Sequence, residues 1–180
     1  VRKEIRISGF GGQGVGLAGY ILGKTFSLYQ ELETVMTQSY GPEARGGASS
    51  ANIVVADRPI DYPFIQHADV LIALSQEAYT RFRPESKEDA LVLIDKELVN
   101  PDPNDTVLMI PATSIAEKLG RRIVANMVML GFVASNLELV DPKALQKSIE
   151  TSVRKNTIPL NIQAYEHGIE YSPLKETLVE

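Results

Sequence analysis

Between residues 4 and 29 the chain changes its apolar period, and the change falls on Gly9-Phe-Gly-Gly-Gln-Gly14. Upstream, Glu4-Ile-Arg-Ile-Ser8 alternates apolar with charged or polar residues, the pattern of a strand. Downstream, Leu17, Ile21, Leu22, Phe26 and Leu28 recur near the helical period from Val15 to Tyr29. Gly9, Gly11 and Gly14 therefore stand at a strand-to-helix turn with G-x-G-x-x-G spacing. Such a turn lets backbone N–H groups approach an anion at a helix N-terminus. It also serves chains that need only close helix-to-strand packing, so both readings stay open. A nicotinamide dinucleotide site would place an acid about 20 residues further on. Here the second strand, near Thr34–Gln38, ends in Gln38, Ser39 and Tyr40.

The later apolar runs are short and branched: Asn52–Ala56, Val70–Leu74, Leu91–Ile94 and Val107–Ile110. Runs of this kind suit strands covered on both faces, which predicts an α/β, Rossmann-like three-layer sandwich with a mostly parallel sheet. At 180 residues, 44% of them hydrophobic, one domain spanning 1–180 is expected, with 170–180 a tail that is mobile or docks on a partner. Helices are predicted from Ser75 to Arg83 before Pro84, and from Ser114 to about Gly120, where Ser114 and Glu117 have capping-box spacing. Another runs from Arg122 to about Asn136, apolar all round and so destined for a core or a subunit interface. Asp141-Pro142 opens a further helix, and Pro159 to His167 forms the last, ended by Gly168.

Net charge is −5 and no basic run occurs, so neither nucleic acid nor an anionic membrane is expected as a partner. No apolar run approaches the roughly 20 residues of a membrane span and no leader pattern is present, so a cytoplasmic protein is expected. Cysteine is absent, which removes thiolate metal sites, a cysteine nucleophile and cysteine-ligated iron–sulfur clusters together. The two histidines, His67 and His167, are read as ordinary surface residues.

Ser39-Tyr-Gly-Pro-Glu-Ala-Arg-Gly-Gly47 is the second unusual segment. Following the second strand, it is expected at the same carboxyl edge as the first turn, where doubly wound folds bind ligands. Arg45 would meet phosphate through its two-donor fork and Tyr40 would offer a stacking face. A solvated surface turn is the alternative.

The two segments together resemble the gamma subunit, or gamma domain, of the 2-oxoacid:ferredoxin oxidoreductases. The likeness continues through Ala68–Leu74 and Ala125–Gly131. That family converts a 2-oxoacid to its acyl-CoA and passes two electrons to ferredoxin. The resemblance implies thiamine diphosphate and Mg²⁺ between alpha and beta subunits, and iron–sulfur clusters in beta and delta subunits. It implies for this chain no catalytic residue but a part in assembly and in holding coenzyme A. Gly9, Gly11, Gly12, Gln13 and Gly14 would face the diphosphate or pantetheine, with Tyr40, Glu43, Arg45, Gly46 and Gly47 at the mouth. The 2-oxoacid expected is 2-oxoglutarate, with indolepyruvate or branched-chain enzymes as alternatives. A free-standing nucleotide-binding domain and a purely structural scaffold are the competing classes. In isolation the chain is expected to pair with itself if the apolar helix around Met127 to Phe132 lacks its cover.

Overall fold

A computed structural model describes residues 1–40 and 48–172. Six strands form one sheet: β1 (Arg2–Gly9), β2 (Glu33–Ser39), β3 (Ser49–Ala56), β4 (Ala68–Ala73), β5 (Ser86–Asp95) and β6 (Leu108–Ile110), in the order β2-β3-β1-β4-β5-β6. β1, β4, β5 and β6 run parallel, and β3 runs antiparallel to both β1 and β2. The sheet is thus mostly parallel, as expected. The reversed strand was not foreseen, because its run of branched residues reads the same in either direction.

The helices are α1 (Val15–Lys24, continued by a wider turn over Thr25–Tyr29), α2 (Gln76–Phe82), α3 (Ala112–Lys118), α4 (Ala125–Asn136), α5 (Pro142–Glu150) and α6 (Ile158–Glu170). Strand alternation divides the core between two faces. Ile5, Ile7, Val70, Ile72 and Leu93 pack on the side of α1, α3, α4, α5 and α6. Leu71, Ala73, Val92 and Ile94 pack on the side of α2. Burial of each of the larger apolar side chains contributes about 1.5–3 kcal/mol. The polar alternates of β1 face α2's side, where Arg6 bonds Asn52 and Glu85 and lies over the Phe82 ring.

Asp141 caps α5 with Pro142 at its first turn, as predicted, and Ser75, read as the first residue of a helix, caps α2 by accepting from Ala78 N–H. Two expectations fail. α3 begins at Ala112, so Ser114 is already helical and no capping box forms; its hydroxyl donates to the Glu97 carboxylate instead. Its cap is the Asp95 carboxylate, which accepts from Thr113 N–H at 3.1 Å and from Thr113 Oγ1 at 2.7 Å. α6 runs through Gly168 to Glu170 because that glycine serves packing. A Cβ on Gly168 would lie 1.9 Å from the Val128 carbonyl, and one on Gly131 would lie 2.0 Å from the Tyr165 carbonyl. The backbones of α4 and α6 touch at this crossing.

α4 is therefore core. Met127 and Val133 have no exposure, and Phe132, 2% exposed, takes the edge of Tyr171. That removes the uncovered helix from which self-association was expected. Of the expected tail, Tyr171 packs on Phe132, and residues 173–180 lie outside the described residues. Among the described residues no helix is long and apolar enough to cross a membrane.

Candidate functional site

The first turn leaves β1 at Gly9 and returns the chain into α1. Gly14 occupies the position before the first helical residue, at φ 71° and ψ 31°, a left-handed conformation that side chains with a Cβ resist. A Cβ there would also lie 2.4 Å from Asn126 Nδ2, the atom that donates to the Gly14 carbonyl. At Gly9 a Cβ would sit 2.4 Å from Gln13 Oε1. Packing within the chain thus accounts for Gly9 and Gly14. Gly11 differs: a Cβ would meet nothing within 4 Å, and its φ is not positive. Gly12 also faces open space, with φ 89°. Among the described residues nothing requires a glycine at position 11.

Gln13 braces the turn. Its Oε1 accepts from Phe10 N–H at 2.6 Å, and its Nε2 donates to the Leu74 carbonyl at 2.8 Å. The amide so joins the turn after β1 to the turn after β4. Those strands send their helices to opposite faces, which makes this gap the crevice where open α/β sheets receive ligands.

The second segment reaches the same rim by an unexpected route. β2 and β3 form an antiparallel hairpin, and Ser50 pairs with both Ser39 of β2 and Ser8 of β1. The end of β2 and the start of β3 therefore lie level with the first turn. A Cβ on Gly16 would lie 3.3 Å from Gln38 Nε2, which places the start of α1 against the end of β2. Tyr40 is 73% exposed, and its hydroxyl donates to Gln38 Oε1 at 2.6 Å. Glu43, Arg45, Gly46 and Gly47 lie outside the described residues. Because β3 starts at this rim, the neighbour of β1 offers no strand end for the ribose-binding acid of a dinucleotide site.

A cavity of about 200 Å³ opens behind the first turn, lined by Gln13, Leu74, Asp95, Thr113, Arg122 and Asn126 among others. Asp95, Arg122 and Asn126 were not singled out from the sequence. Two signals were present: an acid closing an apolar strand run, and an asparagine inside an otherwise apolar helix. Burial lifts the Asp95 carboxyl above the ordinary aspartate value, although bonds from Thr113 and Glu97 N–H oppose the rise.

Residues 4–171 match the model of the family described as pyruvate ferredoxin/flavodoxin oxidoreductase. The chain belongs to that family. Among pyruvate ferredoxin/flavodoxin oxidoreductase relatives, it is 47% identical over 175 residues to the 2-oxoglutarate synthase subunit KorC of Methanocaldococcus jannaschii, covering 94% of each chain. A ketoisovalerate oxidoreductase subunit, VorA of Methanothermobacter thermautotrophicus, is 31% identical over 94% of this chain and 36% of its own. The gamma subunit of a keto/oxoacid ferredoxin oxidoreductase from Geobacter sulfurreducens PCA superposes with a TM-score of 0.85 at 36% identity, covering 94% of this chain and 95% of that one. The 2-oxoglutarate:ferredoxin oxidoreductase from Magnetococcus marinus, solved with 2-oxoglutarate, coenzyme A and succinyl-CoA bound, shares the fold. Its TM-score is 0.82 at 20% identity, over 93% of this chain and 30% of that one. The resemblance read from the two glycine-bearing segments is thus borne out.

Proposed function

We propose that this chain is the gamma-type subunit of a 2-oxoglutarate:ferredoxin oxidoreductase and that its glycine rim holds coenzyme A for the reaction. The enzyme would convert 2-oxoglutarate, coenzyme A and two oxidised ferredoxins into succinyl-CoA, CO₂, two reduced ferredoxins and one proton. The relatives named as 2-oxoglutarate synthase subunits match over nearly their whole length, which supports the choice of 2-oxoacid. Thiamine diphosphate supplies the carbanion chemistry when bound, and we assign it with Mg²⁺ to the alpha and beta subunits. These 180 residues contain no cysteine and offer no thiolate to an iron–sulfur cluster, and we assign the clusters that reduce ferredoxin to the beta and delta subunits. This chain's contribution is to orient a reactant and exclude water.

The observation that carries the coenzyme reading is Gly11, where a Cβ would meet none of the described residues within 4 Å, on the rim it shares with the end of β2 and the start of β3. Backbone N–H groups of Gly11 and Gly12 would meet the diphosphate, Arg45 would add a charged fork, and Tyr40 would stack on a planar group. The test is Gly11→Ala and Arg45→Ala in the assembled enzyme. Each is expected to raise the KM for coenzyme A about tenfold with the KM for 2-oxoglutarate unchanged. Unchanged coenzyme kinetics with impaired subunit assembly would instead make the rim a scaffold.

A further inference from the structure

On the other side of the first turn lies a groove of about 370 Å³, within the size range of small-molecule sites. It adjoins the cavity behind the turn, and Ile123 and Asn126 line both. Its polar lining includes Arg121, Arg154, Ser152, Thr157 and Asn161, and among the described residues no Asp or Glu lines it. Arg122 stands on the adjoining cavity. Among the described residues none of Arg121, Arg122 and Arg154 forms an ion pair, although the chain carries 23 acids against 18 bases. Surface arginines in a chain so rich in acids ordinarily find carboxylates. Among the described residues these three find none.

The backbone adds to the charge. α1 starts at Gly14, α4 follows a short turn that opens at Arg121, and α6 follows a second such turn that opens at Arg154. All three starts line the groove, and no side chain caps any of them. α1 leaves N–H donors and the positive end of its dipole there, whereas the first N–H groups of α4 and α6 bond the Arg122 and Lys155 carbonyls of their turns, so those helices add only their dipoles. Asn126 is 4% exposed, and its Nδ2 donates to the Gly14 carbonyl. Leu17, Val153 and Leu160 supply an apolar wall beside the charge.

We propose that this groove is a phosphate-ester subsite, gripped by Arg121 and Arg154 and assisted by Arg122, for a ligand that joins phosphates to a less polar segment. Coenzyme A has that chemistry, so the ligand's identity rests on the reading above; the subsite itself does not. Held here, the 3′-phosphate of such a ligand would be anchored on the α4 and α6 side of the turn while its diphosphate rests on the backbone of Gly11 and Gly12.

The test is calorimetric titration of the purified full chain with inorganic diphosphate, coenzyme A and dephospho-coenzyme A, at low and high ionic strength. Arg121→Gln and Arg154→Gln are compared with Arg58→Gln, which sits beyond β3 at the opposite rim and is 78% exposed on its side chain. All three arginines are exposed, so folding should be unaffected. Diphosphate and coenzyme A should bind the unaltered chain, more weakly at high salt. Each groove substitution should weaken both by about tenfold or more, and Arg58→Gln should not. A difference between coenzyme A and its dephospho form would place the 3′-phosphate in the groove. Absence of diphosphate binding, or equal binding by the groove variants, would overturn the subsite. So would loss of partner subunits on purification with diphosphate binding intact, since the arginines would then meet a partner's carboxylates. If Gly11→Ala and Arg45→Ala alone lower coenzyme binding, the coenzyme reading survives and the subsite falls. If the groove variants lose diphosphate while coenzyme A binds no form, the reverse holds.

Discussion

Gly11 and Gly14 are three positions apart, and the same substitution should act on them through different quantities. Gly14→Ala puts a Cβ at positive φ and against Asn126 Nδ2, so we expect a loss of about 2 kcal/mol or more in urea unfolding. Gly11→Ala meets open space and should change stability by less than about 0.5 kcal/mol, its effect falling on coenzyme kinetics alone. If both substitutions merely destabilise, the outward opening at Gly11 has no ligand to serve. The spacing of these glycines was legible in the sequence; their division of labour was not. What separates them is the side chain of Asn126, 112 positions from Gly14 in the chain. The Gln13 amide bridges Phe10 and Leu74, a partnership that no local pattern announces.

Elements add their own constraints. Gly131→Ala would drive a methyl into the Tyr165 carbonyl, so we expect about 3 kcal/mol lost, seen as a lower unfolding midpoint. Asp95→Ala would strand Thr113 and the start of α3 without a cap, costing about 1–3 kcal/mol. Asp69 opens β4 and ties it to both neighbours, accepting from Glu4 N–H at 2.8 Å and from Lys87 Nζ at 2.6 Å. Burial would raise its carboxyl, but the Lys87 and Glu4 bonds outweigh that and hold it below the ordinary aspartate value. A carboxyl lowered in the folded state adds stability above its unfolded pKa and loses it as pH falls through the folded one. Asp69→Asn should therefore be less stable than the unaltered chain at neutral pH. The gap should close as acid takes the chain below about pH 4, in urea midpoints measured across that range. Element types were readable from apolar period, Ser75 and Asp141-Pro142 included. The direction of β3 and the continuation of α6 past Gly168 depend on distant backbone, which periodicity does not encode.

The molecule as a whole presents an uneven surface. Phe10, Tyr20, Tyr40 and Ile123 are all at least 41% exposed, and Phe10, Tyr40 and Ile123 stand around the rim of the first turn. A family member acting within a larger enzyme would cover such residues, so Tyr20→Glu on the outer side of α1 should reduce co-purification of the other subunits. Its thermal midpoint alone should stay within a few degrees of the unaltered chain, since Tyr20 is 52% exposed. The family was legible because two unusual segments occur in the right order in one chain. The arginine groove was not, since Arg121 and Arg154 meet only after α4 and α6 have folded back. Those two helices start at the groove and touch, backbone on backbone, at Gly131 and Gly168. With no side chain between them to compress or swell, the crossing works as a fixed fulcrum. The two arginine-bearing jaws should keep a constant bite, so that selectivity among phosphorylated guests comes from width set in advance and not from closing around them.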